Sequence, residues 1–279
     1  MTIDEMKKRK GELGLTNEML AEQSGVPLGT VQKIFAGITK APRYTTILAL
    51  ERVLTPSSPE ESPDRLSYSP SYNETDASVI SDGAFSYLPR HSVPLTVEDI
   101  LALPGEQRIE LIDGIPYDMA PPSTLHQKTV TWLSYRFSDY IFQNRKPCSA
   151  YVSPVGVQLN HDDRTLLEPD LLILCDPEKV RSTHILGAPD LIVEVLSPAT
   201  QIRDMTLKLY KYQDAGVREY WIIDTKNQRI IVYEFARTGL THIYTFSDRV
   251  PVGIWDGSCS IDFNEFAEHA GSLLKDRGE

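Results

Sequence analysis

Three carboxylates and one lysine sit where a sheet could gather them: Glu110, Asp170, Glu194 and Lys208. Asp170 precedes the apolar run Leu171-Leu172-Ile173-Leu174, and Glu194 closes a second run, Leu191-Ile192-Val193. Continuous apolar runs of this length, bounded by turn signals, read as buried strands. A carboxylate beside such a strand is costly unless a cation compensates it. A divalent metal ion with a lysine nearby meets that need, and the pair is suited to chemistry on a phosphate. Magnesium takes oxygen ligands and keeps several waters, so Asp170, Glu194 and the backbone carbonyl of Val195 make a sufficient set. Lys208 stands on the helix after Glu194, where its ammonium can orient a water or steady phosphate charge. Taken singly, the residues also have blander readings. Glu110, between Ile109 and Leu111, fits a solvent-facing strand residue, Lys208 a solvated helix lysine, and Asp190 a strand-start residue that is no ligand.

The elements that must position these groups begin near Pro94. Thr96 is placed to cap a short helix with Glu98 and Asp99 in its first turn. Two alternating runs then flank Asp113-Gly114, the strongest short hairpin signal. Ser123 or Thr124 caps a long helix to about Phe142, with Val130, Leu133, Phe137 and Ile141 on one face. A strand over 150–159, a polar turn and a strand from Asp170 follow. Residues 176–189 read as a loop leading to a strand over 190–196. A helix over 204–215 carries Met205, Leu209 and Tyr212 on one face and Asp204, Lys208 and Lys211 on another, and strands over 219–224, 229–235 and 240–246 come next. A short amphipathic helix near 264–270 ends the series. Strand–helix–strand order after a meander predicts an α/β domain built on a mixed sheet flanked by helices.

Residues 1–55 read instead as a bundle of short helices, over 5–13, 17–23, 28–35 and 44–54. Thr16 is the N-cap of the second, and Gly25 supplies the positive φ of the turn before the third. A helix, a Gly-centred turn and a second short helix are the parts of a helix-turn-helix. Residues 56–92, rich in Ser, Pro and acidic side chains, have no apolar periodicity and are expected to be a disordered tether. The predicted division is therefore 1–55, 56–92 and 93–279.

The net charge of −11 is unevenly spread, with eight Lys/Arg against six Asp/Glu in residues 1–55 and two against six in 56–92. An acidic domain can still handle DNA when its carboxylates hold metal ions, because the ions invert the local field. No run approaches the length of a membrane span, and the N-terminus lacks the apolar core of a signal peptide. Cys148, Cys175 and Cys259 are odd in number and far apart, which argues against a disulfide framework and for a reducing, cytoplasmic setting.

The stretch LTNEMLAEQSGVPLGTVQKIFAG resembles the helix-turn-helix domains of the phage-repressor (Cro/Xre) class. That resemblance implies that 28–35 is a recognition helix with Leu28, Gly29, Thr30, Gln32 and Lys33 near DNA. Gln32 would read adenine, and Thr30 and Lys33 would meet phosphate. Further on, RIELIDGIPYDMAPPS, EPDLLIL, GAPDLIVEVLSPAT and RDMTLKLYKYQDAGVREYWIID resemble the Uma-two family of endonucleases, within the PD-(D/E)XK nuclease superfamily. The likeness covers about residues 94–235. It implies a restriction-endonuclease-like core with Asp170 and Glu194 as metal ligands and Glu110 supporting them. The superfamily lysine would fall at Leu196, which is apolar. The family pattern carries it on the following helix, which points to Lys208, with Lys211 as the alternative. Asp204, Tyr212 and Gly216 match that same pattern. His126 also stands at a family-like position, as a site or phosphate contact or as a helix-capping or surface histidine.

The expected function is thus a magnesium-dependent endodeoxyribonuclease, with manganese as a substitute, directed to DNA by its helix-turn-helix. Cutting both strands calls for two sites, so a homodimer is an expectation, and no membrane partner is expected. The alternative is a DNA-binding regulator whose nuclease-like domain is inactive.

Overall fold

A computed structural model describes residues 2–39, 42–55, 94–103, 108–159, 162–237 and 239–275. The predicted tether, 56–92, lies outside them. The chain divides into two compact units.

The N-terminal unit holds α1 (Ile3–Glu12), α2 (Asn17–Ser24), α3 (Leu28–Phe35) and α4 (Tyr44–Leu54). Helix α1 starts earlier than its apolar pattern suggests because Thr2 and Glu5 close a reciprocal capping box. Thr16 caps α2 through the Met19 amide, and Gly25 ends that helix in the left-handed region with φ 72°. Met6, Leu20, Val31, Ile34 and Leu50 are fully buried and form the centre of this small core.

The C-terminal unit opens with α5 (Val97–Leu101), capped by a Thr96–Asp99 box. Strands β1 (Ile109–Ile112) and β2 (Ile115–Asp118) follow, then the 20-residue α6 (Thr124–Gln143), capped by Ser123. Five strands come next: β3 (Ser149–Val152), β4 (Gly156–Gln158), β5 (Leu166–Leu167), β6 (Leu171–Leu174) and β7 (His184–Leu186). After β8 (Leu191–Val195), a short α7 (Gln201–Arg203) runs into a π-helical turn (Asp204–Lys208) and on into α8 (Leu209–Ala215). Strands β9 (Glu219–Asp224), β10 (Arg229–Glu234), β11 (Thr241–Thr245), β12 (Arg249–Pro251) and β13 (Ser260–Asp262) precede α9 (Phe263–Lys275).

The strands form a six-stranded mixed sheet in the order β11-β10-β9-β8-β6-β3, a five-stranded sheet β2-β1-β5-β4-β7, and the pair β12-β13. Strand β8 lies at the centre of the larger sheet, antiparallel to β6 and parallel to β9. Buried on both faces, β6, β8 and β9 carry the continuous apolar runs read from the sequence. Val130, Leu133 and Phe137 of α6 pack in one core with Leu171, Val193 and Trp221 of the sheet. Each such fully buried apolar side chain contributes roughly 1.5–3 kcal/mol.

Three expectations are corrected. The single strand over 150–159 is two strands in two different sheets, β3 beside β6 and β4 between β5 and β7. The chain changes sheets at Ser153-Pro154, where proline has no N–H for a ladder. The loop over 176–189 contains β7, parallel to β4. Finally, Cys148 and Cys175 form a disulfide. The register that sets Ser149 against Leu174 brings them across from each other, a proximity that distance in sequence conceals.

The β1–β2 turn has little freedom. Asp113 and Gly114 have φ 51° and 78°, both in the left-handed region that two-residue hairpin turns use. The Gly114 amide donates to the Arg164 carbonyl (2.8 Å), and the Leu95 amide donates to the Gly114 carbonyl (3.0 Å). A Cβ at Gly114 would collide with Pro94. Gly114→Ala is therefore expected to lower stability by at least ~1 kcal/mol, read as a fall in the urea midpoint. An unchanged midpoint would show that the turn relaxes freely.

Candidate functional site

The register of β6 on β8 pairs Leu171 with Val193, so one step further Asp170 lies across from Glu194 at the mouth of the sheet. Glu110 comes from β1 in the other sheet, and Lys208 from the end of the π-helical turn. The Lys208 ammonium joins them: its Nζ is 2.7 Å from Glu110 Oε1, 2.9 Å from Glu194 Oε1 and 3.4 Å from Asp204 Oδ1. All four side chains are buried. Tyr212, one turn beyond Lys208, donates its hydroxyl to the same Glu194 Oε1 (2.8 Å). Arg203 Nη1 approaches Glu110 Oε2 (3.8 Å), and the Glu168 amide donates to Glu110 Oε1 (3.1 Å).

Asp170 is held differently. Its Oδ2 accepts from the Val195 amide (2.8 Å) and lies 3.1 Å from His126 Nε2. Glu194 Oε2 and Asp170 Oδ1 accept no hydrogen bond from the described residues. Each of these two carboxylates thus has one oxygen committed to protein donors and one left for a ligand.

Four carboxylates, Glu110, Asp170, Glu194 and Asp204, face two cationic side chains, Lys208 and Arg203, in a low-dielectric setting. The imbalance appears in the acidities. Burial raises Glu194 well above its ordinary value, and Asp204, Asp170 and Glu110 add to the rise against the opposing pull of Lys208. Burial likewise raises Asp204. For Lys208, burial alone would lower the pKa, but Glu110, Glu194 and Asp204 together outweigh it and raise it well above the usual lysine range. The lysine is therefore a fixed cation.

The structure brings Glu110, Asp170, Glu194 and Lys208 together. Glu110 is buried, which removes its solvent-facing reading. The Val195 amide donates to Asp170, and its carbonyl stays a candidate third ligand. Lys211 pairs with Asp113 on the hairpin turn, away from the cluster. Asp190 accepts from Arg218 (3.0 Å) and from the Cys175 amide (2.8 Å), a structural role. His126 reaches the cluster through Asp170, and its Nδ1 has no hydrogen-bond partner among the described residues. Tyr212 and Arg203 were not assigned roles from sequence. The four-residue spacing of Asp204, Lys208 and Tyr212 was the available signal for the tyrosine. Among the described residues no group of three or more His, Cys, Asp or Glu side chains stands in metal-ligand geometry. On α3 of the N-terminal unit, Leu28, Gly29, Gln32 and Lys33 are exposed and Thr30 is half-buried, while Val31 and Ile34 face the core.

Residues 97–251 match the Uma2 family, described as "Putative restriction endonuclease", and residues 6–61 match a helix-turn-helix family. An uncharacterized protein of Synechocystis is 30% identical over 162 residues, spanning 56% of this chain and 83% of its own length. A crystal structure from Anabaena variabilis, titled as "a putative nuclease belonging to DUF820", superimposes with a TM-score of 0.53 at 18% identity. It covers 63% of this chain and 98% of its own. That likeness shows that the two chains share a fold over the part covered.

Two outcomes follow from the charge arrangement. Lys208→Met would leave Glu110, Glu194 and Asp204 without their shared cation and is expected to cost about 3–5 kcal/mol. Adding Glu110→Gln and Glu194→Gln should restore part of that loss in urea denaturation, and no recovery would count against the ion-pair account. The second concerns pH. Because the folded pKa of Glu194 is raised above 4.5, its contribution to stability is present below about that pH and is lost as pH rises through the folded value. In EDTA, Glu194→Gln should therefore show a shallower fall in urea midpoint above pH 4.5 than the parent. Parallel profiles would show that Glu194 does not titrate in this way.

Proposed function

The chain belongs to the Uma2 family, and on that footing we propose that residues 93–279 form a magnesium-dependent endodeoxyribonuclease brought to DNA by a helix-turn-helix in residues 1–55. The observation that carries this reading is the buried Glu110–Lys208–Glu194 cluster with Asp170 across from Glu194 at the sheet's mouth. The donor set fits a hard divalent cation. Asp170 and Glu194 each keep one uncommitted oxygen, and the four carboxylates outnumber the two cationic side chains by two. Magnesium retains several waters and needs only one or two protein carboxylates, so Asp170 and Glu194 suffice to hold it, with manganese as a substitute.

When bound, such an ion would polarise the scissile phosphate and lower the pKa of its water. The chain's own residues do the positioning. Lys208 and Tyr212 fix Glu194 by its Oε1. The Val195 amide and His126 fix Asp170 by its Oδ2. Glu110 and Arg203 extend the ion network behind them. Glu110, Glu194 and Asp204 together favour the charged form of Lys208. Its part is to offset the negative charge that a phosphate would otherwise meet.

On the helix-turn-helix, exposed Gln32 is placed to read adenine and Lys33 to meet phosphate. A tether between the two domains raises the local concentration of the nuclease at DNA without new contacts. Cutting both strands would take two such sites and hence a homodimer, in the cytoplasm where DNA is accessible.

The test is plasmid nicking by the full chain with magnesium or manganese, against EDTA and Asp170→Ala. Metal-dependent nicking that falls at least ~100-fold in the variant is expected, a loss of about 2.7 kcal/mol in transition-state stabilisation. Nicking that survives in Asp170→Ala would displace the assigned site. DNA binding without any metal-dependent nicking would favour a regulator with an inactive nuclease-like domain.

A further inference from the structure

Next to Asp170 is a cleft of about 150 Å³, lined by Asp170 itself and by Gln127, Val130, Thr131, Ser134, Val152 and Ser153. One wall is a face of α6, which sets Gln127, Thr131 and Ser134 at i, i+4 and i+7. The other is the end of β3, the edge strand of the large sheet, with the Ser153 that follows it. Size and chemistry restrict what fits. A hollow of about 150 Å³ takes one six-membered ring, as benzene does in a cavity of that volume. A fused purine is larger. Val130 and Val152 give apolar contact for the flat faces of a ring, and the Gln127 amide with the Thr131 and Ser134 hydroxyls offers donors and acceptors to its edge, while the Ser153 hydroxyl donates to Glu168. Among the described residues Asp170 is the only charged side chain in the lining, so a neutral ring is favoured over an anion.

We propose that this cleft receives an unpaired pyrimidine base of the DNA strand being cut. The proposal rests on the nuclease reading above for the strand's presence at Asp170. A base seated here would carry its own sugar-phosphate past the Asp170–Glu194 pair. On a pyrimidine's pairing edge, the primary amide of Gln127, one donor group and one acceptor, matches O4 and N3–H of a thymine or N3 and the N4 amino group of a cytosine. That edge is free only when the base is out of a duplex, so the strand must be single, or the base turned out of the stack. The preferred substrate is accordingly single-stranded DNA or a duplex with unpaired pyrimidines.

The experiment is equilibrium binding of the full chain to fluorescent thymidine and adenosine homo-oligomers of equal length, in EDTA so that no strand is cut. A helix-turn-helix reads duplex major groove, so single strands report on the C-terminal domain. About tenfold tighter binding of the thymidine strand is expected, equal to 1.4 kcal/mol. Ser134→Met and Thr131→Leu, which fill the cleft, should each erase the preference. Gln127→Ala should weaken thymidine binding and leave adenosine binding unchanged. Gln127 and Thr131 are exposed, so loss of fold does not confound their variants. Equal affinity for both strands, or a preference that survives both filling variants, overturns the proposal. Metal-dependent nicking measured alongside separates the two readings. Nicking with no pyrimidine preference keeps the nuclease and removes this assignment, whereas a filled-cleft effect on binding without any nicking keeps the cleft and removes the nuclease.

Discussion

A single buried ammonium constrains the C-terminal domain. Lys208 Nζ touches carboxylates from β1 and β8, strands that belong to different sheets, and it sits 3.4 Å from Asp204 one turn before it. A lysine this deeply buried is tolerated only because those partners surround it, and they in turn are tolerated only because of it. Charge therefore ties the two sheets together at this point. The same contact fixes the direction in which Glu194 points. The catalytic proposal and the integrity of the fold thus depend on one interaction, and separating the two roles requires variants that remove charge in compensating pairs.

The π-helical turn is the local device that makes this arrangement fit. Asp204, Lys208 and Tyr212 are each four residues apart, and all three side chains are buried toward Glu194 and Glu110. In a uniform α-helix, positions four apart drift steadily around the axis, because a turn takes 3.6 residues. A wider turn between Asp204 and Lys208 reduces that drift and keeps successive side chains on one line. Lys208 and Tyr212 can then meet at the same oxygen of Glu194. Widened turns of this kind recur at functional sites in helices.

Much of this was legible in the sequence, for physical reasons. Strands β6, β8 and β9 announce themselves because burial on both faces demands continuous apolar runs, and the Asp113-Gly114 turn because few residue pairs accept its dihedrals. Asp170 and Glu194 were recognisable because a carboxylate beside such a run needs an explanation. What failed to show depended on register or on very short elements. Strand β5 is two residues long, and β7 three, too short for any periodicity. The exchange of sheets at Pro154 and the Cys148–Cys175 pair are facts about which strands become neighbours, and no local pattern encodes them. Arg203 was missed because a single arginine near a helix start has no distinguishing neighbours in sequence.

The committed and uncommitted oxygens of Asp170 and Glu194 carry the strongest functional argument. A structural ion pair gains most when both oxygens of a carboxylate are satisfied, as in Glu219. There, Oε1 accepts from the Trp221 indole (2.6 Å) and Oε2 from the Ile254 amide (2.8 Å). Glu219 is equally buried, so burial alone does not distinguish a site carboxylate from a structural one. Asp170 and Glu194 differ in having their donors gathered on one oxygen each, while their second oxygens accept none from the described residues. Neither second oxygen is among the buried, unpartnered polar atoms of the described residues, so each stays open to solvent and to a ligand. It is the pattern expected where the remaining lone pairs serve something other than the protein itself.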